Sequence, residues 1–178
     1  MYIWFGIDVD KYFHHLTKDL RRIEKEVGLN VELSKLPFHI SLIISKEIDE
    51  NIKDDIIDKI SNYLTNIKPF NISIKGIEEN NNVVWIRFNE NDILNKIHED
   101  LLKILKDEFN LDKAYFDTCF IYHTSLFIND DIELLHKAYL KIKDYDLIKE
   151  VSVDKLLIGR AESLKISDFY IEKEIELK

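Results

Sequence analysis

Two copies of one short pattern have residue types and spacing that suit chemistry. The tripeptide His39-Ile40-Ser41 lies in one apolar, strand-like run, and His123-Thr124-Ser125 lies in another. Because the side chains of a strand point alternately to its two faces, each His shares a face with the Ser two residues later. A polar pair on an apolar strand is costly to bury without partners. Two such pairs in matching surroundings therefore predict a functional site rather than two unrelated core histidines.

Histidine and serine in this arrangement suit acid–base chemistry on a phosphoryl group. Histidine has an unperturbed pKa of about 6.5 and exchanges a proton near neutral pH. If His39 and His123 flank one substrate, the neutral ring accepts a proton from water or a hydroxyl, and the protonated ring donates one to the leaving oxygen. The hydroxyls of Ser41 and Ser125 can hydrogen-bond the non-bridging oxygens and stabilise developing charge there. This chemistry needs neither a metal nor a cofactor, and we expect none.

The elements around the two pairs repeat along the chain. Alternating apolar residues predict strands, and apolar residues three and four apart predict helices between them. The predicted order is a strand over 2–9, a helix over 13–27, the first His strand, a helix over 49–67, a strand over 70–77, a strand over 83–89, a helix over 94–109, the second His strand, a helix over 130–142, and strands over 151–160 and 166–177. Alternating strands and helices predict a mixed α/β protein.

The two halves of the sequence can be aligned. A constant shift in numbering (85 − 4) carries Trp4 onto Trp85, and the same shift carries the apolar positions of the first helix onto those of the third. The shift from His39 to His123 (123 − 39) is larger by three, so a short insertion is expected before the second His strand. Duplication of this kind predicts one domain with two lobes, roughly 1–80 and 81–178, in which the final strands are free to join either lobe. A pseudo-twofold axis would bring the two histidines face to face across a groove.

The paired His-x-Ser strands, the leucine after each serine and the interval from His39 to His123 resemble the 2H phosphoesterases. They are most similar to the branch of 2′-5′ RNA ligase-like and RNA 2′,3′-cyclic phosphodiesterase proteins. The resemblance covers essentially the whole chain. It implies an α/β (α+β), bilobal fold in which two antiparallel-rich sheets line a central groove and the helices pack outside. It also implies that His39 and His123 are catalytic and that Ser41 and Ser125 bind the substrate phosphate. Family members commonly have Thr at these Ser positions, so the hydroxyl is retained.

The resemblance implies a metal-independent phosphodiesterase that acts at a ribose 2′ oxygen. Hydrolysis of a 2′,3′-cyclic phosphate on an RNA end or a nucleotide is the first choice, and hydrolysis or ligation of 2′-5′ linkages is the alternative. A module that binds an RNA end or a nucleotide without turnover is the alternative from another class of protein. Because the two half-sites are quasi-equivalent, the sequence leaves open which histidine is the acid and which is the base.

Four further residues are candidates for lining the groove. Trp4 and Trp85 lie on strand faces opposite the clearly apolar ones, Arg87 shares the face of Trp85, and Lys75 shares that of Ser73. Indoles stack on bases, and Arg and Lys contact phosphates. The other interpretation is that the tryptophans cover the edge of the core and that the cations are solvated. The remaining histidines are expected to be solvated helix residues: His14, His15, His98 and His136.

Composition limits the partners of the chain. It has 178 residues and a formal net charge of -9, which disfavours wrapping long nucleic acid through its phosphates but allows a small anionic ligand in a local pocket. The single cysteine, Cys119, excludes an intrachain disulfide and a cysteine metal cluster. The first apolar run ends at Asp8, and no run approaches the roughly 18 residues of a membrane span. We therefore expect a cytoplasmic protein, a monomer, without membrane contact.

Overall fold

Residues 1–29, 36–114 and 120–178 are described by the computed structural model of the protein, and Cys119 lies outside them. The strands are β1 (Tyr2–Asp8), β2 (His39–Ile44), β3 (Phe70–Asn80), β4 (Val83–Phe88), β5 (His123–Ile128), β6 (Glu150–Val153), β7 (Lys155–Ala161) and β8 (Phe169–Glu176). The α-helices are α1 (Asp10–Phe13), α2 (Thr17–Val27), α3 (Lys53–Leu64), α4 (Asp92–Phe109) and α5 (Ile132–Ile142). The predicted mixed α/β class is confirmed.

The strands form two four-stranded antiparallel sheets. The first sheet has the order β2-β1-β7-β8, and the second has the order β5-β4-β3-β6. The boundary between residues 80 and 81 therefore does not separate the strands of the two sheets, since β3 belongs to the second sheet and β7 and β8 belong to the first. The stretch predicted as one strand over 151–160 divides at Asp154 into β6 and β7, which join different sheets. Each sheet thus takes strands from both halves of the sequence.

The helices also connect the two halves. Helix α5 packs against β3, β4 and β5, whereas α4 packs against β2 and α3, and α2 packs against α5. Helix α2 ends at Gly28, which has the left-handed φ of 80° that a helix C-terminus favours. The side chains of Asn91 and Asp131 accept hydrogen bonds at the starts of α4 and α5. Among the described residues, no helix has the length and apolar character needed to cross a bilayer.

One continuous cluster of buried apolar side chains underlies both sheets. Phe13 lies between them and packs edge-on against Phe38 and Phe88, with ring centroids 6.3 and 6.2 Å apart. Phe38 immediately precedes β2, and Phe88 ends β4. One strand of each sheet is therefore fixed against the same aromatic side chain.

The pairing register shows which residues of the two sheets are equivalent. The pairs are Asp8–His39 and Gly6–Ser41 between β1 and β2, and Arg87–His123 and Trp85–Ser125 between β4 and β5. Asp8 is thus equivalent to Arg87, and the residue equivalent to Trp85 is Gly6. Trp4 lies two residues earlier in β1 than Gly6. The constant shift that the two tryptophans suggested is therefore wrong for these strands, and the tryptophans are not a symmetric pair.

Candidate active site

A cavity of about 710 Å³ lies where the edge strands β2 and β5 of the two sheets approach each other. Its lining includes both His-x-Ser pairs: His39, Ser41, His123 and Ser125. The rest of its lining comes mainly from α1, α2, the segment before β2, and the turn between β7 and β8. This volume lies within the range of pockets that bind small molecules and cofactors. The structure thus brings both predicted pairs into one ligand-sized space.

The two imidazole rings are held by the same kind of hydrogen bond. Nδ1 of His39 lies 2.8 Å from the carbonyl oxygen of Pro37, and Nδ1 of His123 lies 2.8 Å from that of Ile121. Because a carbonyl oxygen only accepts hydrogen bonds, Nδ1 carries the hydrogen in both rings. Nε2 is therefore the nitrogen of each ring that is left for proton exchange with a ligand.

An indole ring packs against each imidazole. The ring centroids are 5.3 Å apart for Trp4 and His39 and 4.4 Å apart for Trp85 and His123. Trp4 is 1% exposed and Trp85 is 6% exposed, so neither indole presents an open face on which a base could stack. Nε1 of Trp4 also donates a hydrogen bond to the carbonyl oxygen of Tyr170, at 3.3 Å. The geometry favours the indoles as covered walls that orient the histidines.

Two glycines make room for the indole of Trp4. A Cβ atom on Gly6 would lie 2.8 Å from the ring. A Cβ atom on Gly159 would lie 2.2 Å from the ring and 2.3 Å from the carbonyl oxygen of Tyr170. Both distances at Gly159 are far shorter than a van der Waals contact of about 3.5 Å. The indole therefore lies across the face of the sheet, in space that any larger residue at position 159 would occupy.

Charged neighbours distinguish the two histidines. Burial lowers the pKa of His39, and the hydrogen bond to the Pro37 carbonyl and the negative charge of Asp8 act in the opposite direction. Burial also lowers the pKa of His123, the hydrogen bond to the Ile121 carbonyl raises it, and the positive charges of a protonated His39 and of Arg87 lower it further. The two rings therefore differ in the charge of the nearest side chain, which is negative at His39 and positive at His123.

Hydrogen bonds at the start of α1 fix the approach to His39. Oδ1 of Asp8 accepts a hydrogen bond from the backbone N–H of Asp10 at 2.9 Å, and Oδ1 of Asp10 accepts one from the backbone N–H of Phe38 at 3.0 Å. The N–H of Val9 donates to the carbonyl oxygen of Phe38, also at 3.0 Å. The end of β1 is thereby tied to the residue that directly precedes His39.

The two predicted groove cations differ in position. Arg87 lies opposite His123 in the sheet, and its buried Nε–H has no hydrogen-bond acceptor among the described residues. Lys75 instead forms an ion pair with Glu78 at 2.8 Å and does not contribute to the cavity lining. Arg87 is therefore close to His123, whereas Lys75 is solvated, and neither cation is among the residues that line the cavity.

The prediction that His98 is solvated is wrong. This residue of α4 is 8% exposed, and its Nδ1 lies 2.9 Å from the carbonyl oxygen of Leu42. Its ring stacks on Phe120, with centroids 4.0 Å apart and an interplanar angle of 6°. Leu42 directly follows Ser41, and Phe120 lies three residues before His123, so one side chain contacts the runs that contain both motifs.

His98 occupies a helical phase that indicates a buried position, and the prediction that it is solvated did not use this signal. It lies four residues after Leu94 and three residues before Leu101, on the apolar side of α4. The other three histidines are exposed, as predicted: His14, His15 and His136. His14 nevertheless lines the cavity, and its Nδ1 lies 3.1 Å from Oδ2 of Asp10.

Several lining residues were not singled out by any sequence pattern. The turn between β7 and β8 contributes Leu164, and Phe169 follows it at the start of β8. Helix α2 contributes Thr17, Arg21 and Glu24, of which the last two form an ion pair at 2.9 Å. In the part of the chain that the structure describes, no three His, Cys, Asp or Glu side chains are grouped so as to hold a metal ion.

Comparison with known proteins gives one family and one fold. A sequence model of the 2′-5′ RNA ligase superfamily matches residues 3–163. The structure is similar to that of TT0787 from Thermus thermophilus, with a TM-score of 0.66 and 13% identity over 99% of this chain and 97% of that chain. It is similar to E. coli LigT without ligand, with a TM-score of 0.65 and 12% identity over 99% and 96% of the two chains.

E. coli LigT in complex with 3′-AMP is also similar, with a TM-score of 0.61 and 11% identity over 99% of this chain and 97% of that chain. At these identities the structural likeness concerns the fold. Comparison with curated proteins gives no match.

Proposed function

Since the chain belongs to the 2′-5′ RNA ligase superfamily, as its paired motifs indicated, we propose that it is a metal-independent phosphodiesterase that opens a 2′,3′-cyclic phosphate on an RNA end or a nucleotide. One observation carries the proposal. The matched Nδ1 hydrogen bonds of His39 and His123 leave two Nε2 atoms for proton transfer in one cavity. The LigT complex with 3′-AMP supports a ligand of nucleotide size for this fold.

In this proposal His123 is the general base and His39 is the general acid. Nε2 of His123 takes a proton from water, and the water oxygen forms a bond to phosphorus. The bond from phosphorus to one ribose oxygen breaks, and Nε2 of His39 gives its proton to that oxygen. Asp8 favours the protonated form of His39 and Arg87 favours the neutral form of His123, which supports this direction of proton flow. Exchange with solvent then restores both rings.

The two serines have the matching electrostatic role. Ser41 and Ser125 line the same cavity as the histidines and share their strand faces. Hydroxyl groups in these positions would donate to the non-bridging oxygens, where negative charge develops in the transition state. Threonine retains the hydroxyl and alanine removes it, so Ser→Thr and Ser→Ala variants separate this role from the size of the side chain.

The name of the superfamily favours a second candidate reaction. A 2′-5′ phosphodiester presents the same phosphoryl group to the same four side chains. Its leaving group is a ribose 5′ oxygen, whereas in the cyclic phosphate the leaving group is the 2′ or 3′ oxygen. Hydrolysis or ligation of such linkages therefore needs no further catalytic group. Product analysis with both substrates distinguishes this reaction from the opening of a cyclic phosphate.

The test is turnover of an oligonucleotide that ends in a 2′,3′-cyclic phosphate, with EDTA present and the product monoester identified. His39→Ala and His123→Ala should each reduce kcat/KM by at least about 100-fold, since general acid or base catalysis typically contributes that much. His136→Ala is the matched control, because His136 is exposed and paired with Glu79. Absence of wild-type turnover on both cyclic and 2′-5′ substrates would contradict an enzymatic function.

A further inference from the structure

We propose that the turn between β7 and β8 is the subsite for the terminal nucleobase of the substrate, with Phe169 as the ring on which the base stacks. The nature of the substrate rests on the proposed function, whereas the presence of an apolar subsite rests on the geometry of the turn. Bases of any identity stack on an aromatic face, so we expect a subsite that tolerates different bases.

An aromatic path leads from the catalytic ring of the first sheet to the rim of the cavity. The Trp4 ring lies 5.3 Å from the His39 ring and 6.3 Å from the Phe169 ring, between centroids. Trp4 is covered by its neighbours, whereas Phe169 is only partly buried and lines the cavity. Phe169 is therefore the aromatic ring on this path that a ligand can reach.

A second apolar side chain accompanies Phe169. Leu164 lines the cavity from the same turn and is 39% exposed, so a ligand can reach it. The turn is held in shape by its own hydrogen bonds. Oγ of Ser163 donates to Asp168 at 2.6 Å, and the backbone N–H of Asp168 donates to the carbonyl oxygen of Lys165 at 2.9 Å. An apolar rim of fixed shape suits a flat, rigid base.

The described strands of the second sheet form no equivalent turn. The strands β7 and β8 are consecutive in the chain, but β3 and β6, which occupy the matching places in the second sheet, are not. In the second sheet, Arg87 is paired with His123 in the adjacent strand, but it is not among the residues that line the cavity. The two sides of the cavity therefore differ in one respect, because the apolar turn with Leu164 and Phe169 is present only next to the first sheet in the described part of the chain.

This asymmetry fixes the direction in which a nucleotide binds. A base on Phe169 places its ribose on the His39 side of the phosphorus. In an in-line displacement the attacking water then lies on the opposite side, next to His123. The ribose oxygen that leaves is consequently the one that His39 protonates. The same roles follow independently from the charges of Asp8 and Arg87, which concern the protons rather than the base.

The test compares substrates that differ only in the base. Turnover is measured with adenosine 2′,3′-cyclic phosphate and with the 2′,3′-cyclic phosphate of 1-O-methylribose, which has no base. Phe169→Leu should raise KM for the adenosine substrate about 10-fold, leave kcat within about 2-fold, and leave both constants for the base-free substrate unchanged. Leu164→Ala should have a smaller effect in the same direction.

A control comes from outside the cavity lining. Leu140→Ala removes an exposed leucine from α5. It should not change KM for either substrate. Wild-type KM values that are equal with and without the base, or a Phe169→Leu variant that behaves as wild type on the adenosine substrate, would overturn the subsite.

Direct binding separates this subsite from the proposed reaction. Calorimetry measures Kd for adenosine 3′-monophosphate and for 1-O-methylribose 3-phosphate in wild type and Phe169→Leu. If the wild type does not turn over cyclic phosphates but prefers the adenosine ligand, and Phe169→Leu loses that preference, the subsite stands and the reaction is wrong. If the wild type binds both ligands equally, the subsite is wrong whatever the reaction is.

Discussion

Replacing Gly159 with alanine should displace the indole of Trp4, which packs against His39. The new Cβ would lie 2.2 Å from the Trp4 ring and 2.3 Å from the carbonyl oxygen of Tyr170, closer than an ordinary contact by roughly 1 Å or more. The carbonyl belongs to the backbone of β8, so the new Cβ displaces both the indole and the backbone where β7 and β8 pair. Overpacking of a well-filled core costs about 1–3 kcal/mol, and losing the Trp4 hydrogen bond adds about 1 kcal/mol.

The free energy of unfolding of Gly159→Ala should therefore fall by about 2–4 kcal/mol, measured by urea denaturation. Because the same indole packs against His39, a shift of about 1 Å should also reduce kcat/KM by about 10- to 100-fold. Trp4→Leu in the Gly159→Ala background removes the clash with the indole and leaves the one with the Tyr170 carbonyl oxygen. The double variant should be more stable than the sum of the two single changes predicts.

Gly28→Ala is the control for this variant. Gly28 has a φ of 80°, and a Cβ there would meet no atom within 4 Å. Alanine in that left-handed conformation should cost about 1–2 kcal/mol and leave kcat/KM unchanged. If Gly159→Ala keeps wild-type stability and activity, or if Gly28→Ala loses as much activity, the role of the indole as a support for His39 is wrong.

Three further sets of variants test the electrostatics and the positioning of the site. Asp8→Asn removes the charge that favours protonated His39, so it should move the alkaline limb of the kcat/KM profile to lower pH. Arg87→Met removes the charge that favours neutral His123, so it should move the acidic limb to higher pH. If Asp8→Asn moved the acidic limb and Arg87→Met the alkaline limb, the roles of acid and base would be exchanged. Burial lowers the pKa of both rings, so just below pH 6.5 the unfolded chain binds more protons than the folded protein, and the free energy of unfolding should fall there as the pH falls. Urea denaturation at pH 5 and pH 8 measures this difference. It should be smaller in a His39→Gln/His123→Gln variant. His98→Asn should lower kcat without changing either limb of the pH profile. His98→Leu should lower kcat further, because asparagine can still donate a hydrogen bond to the backbone that His98 contacts and leucine cannot. Equal activity of the wild type and both variants would exclude a positioning role for His98.

The strands and the half-sites of this fold could be predicted from local sequence. Period-two alternation indicates β1 and β4, and Gly28 indicates the end of α2, because these features depend on residues close together in the chain. The His-x-Ser tripeptides could also be recognised from local sequence, since two polar residues on one face of an apolar strand are unusual. The sequence therefore identified the four polar residues that the structure brings into one cavity.

Partnership between distant strands could not be predicted. Nothing local indicates that β6 and β7, separated by Asp154 alone, pair in different sheets, because pairing is decided by the packing of both sheets on their helices. The numbering of Trp4 and Trp85 suggested symmetry, but the strand register shows that they are not equivalent. The indole of Trp4 lies in space that Gly6 and Gly159 leave open. Phe169 was not predicted as a site residue, because its place in the cavity lining depends on the tertiary position of the turn between β7 and β8.

The most direct test of the central claim uses a cyclic phosphate in which sulfur replaces the leaving ribose oxygen. A thiolate leaves without protonation, so the general acid becomes unnecessary while the general base is still required. We expect His39→Ala to lose little activity on the sulfur substrate, compared with a loss of at least about 100-fold on the oxygen substrate, whereas His123→Ala should remain impaired on both. Recovery of His123→Ala in place of His39→Ala would reverse the assigned roles, and equal loss of both variants on both substrates would contradict acid–base catalysis by this pair.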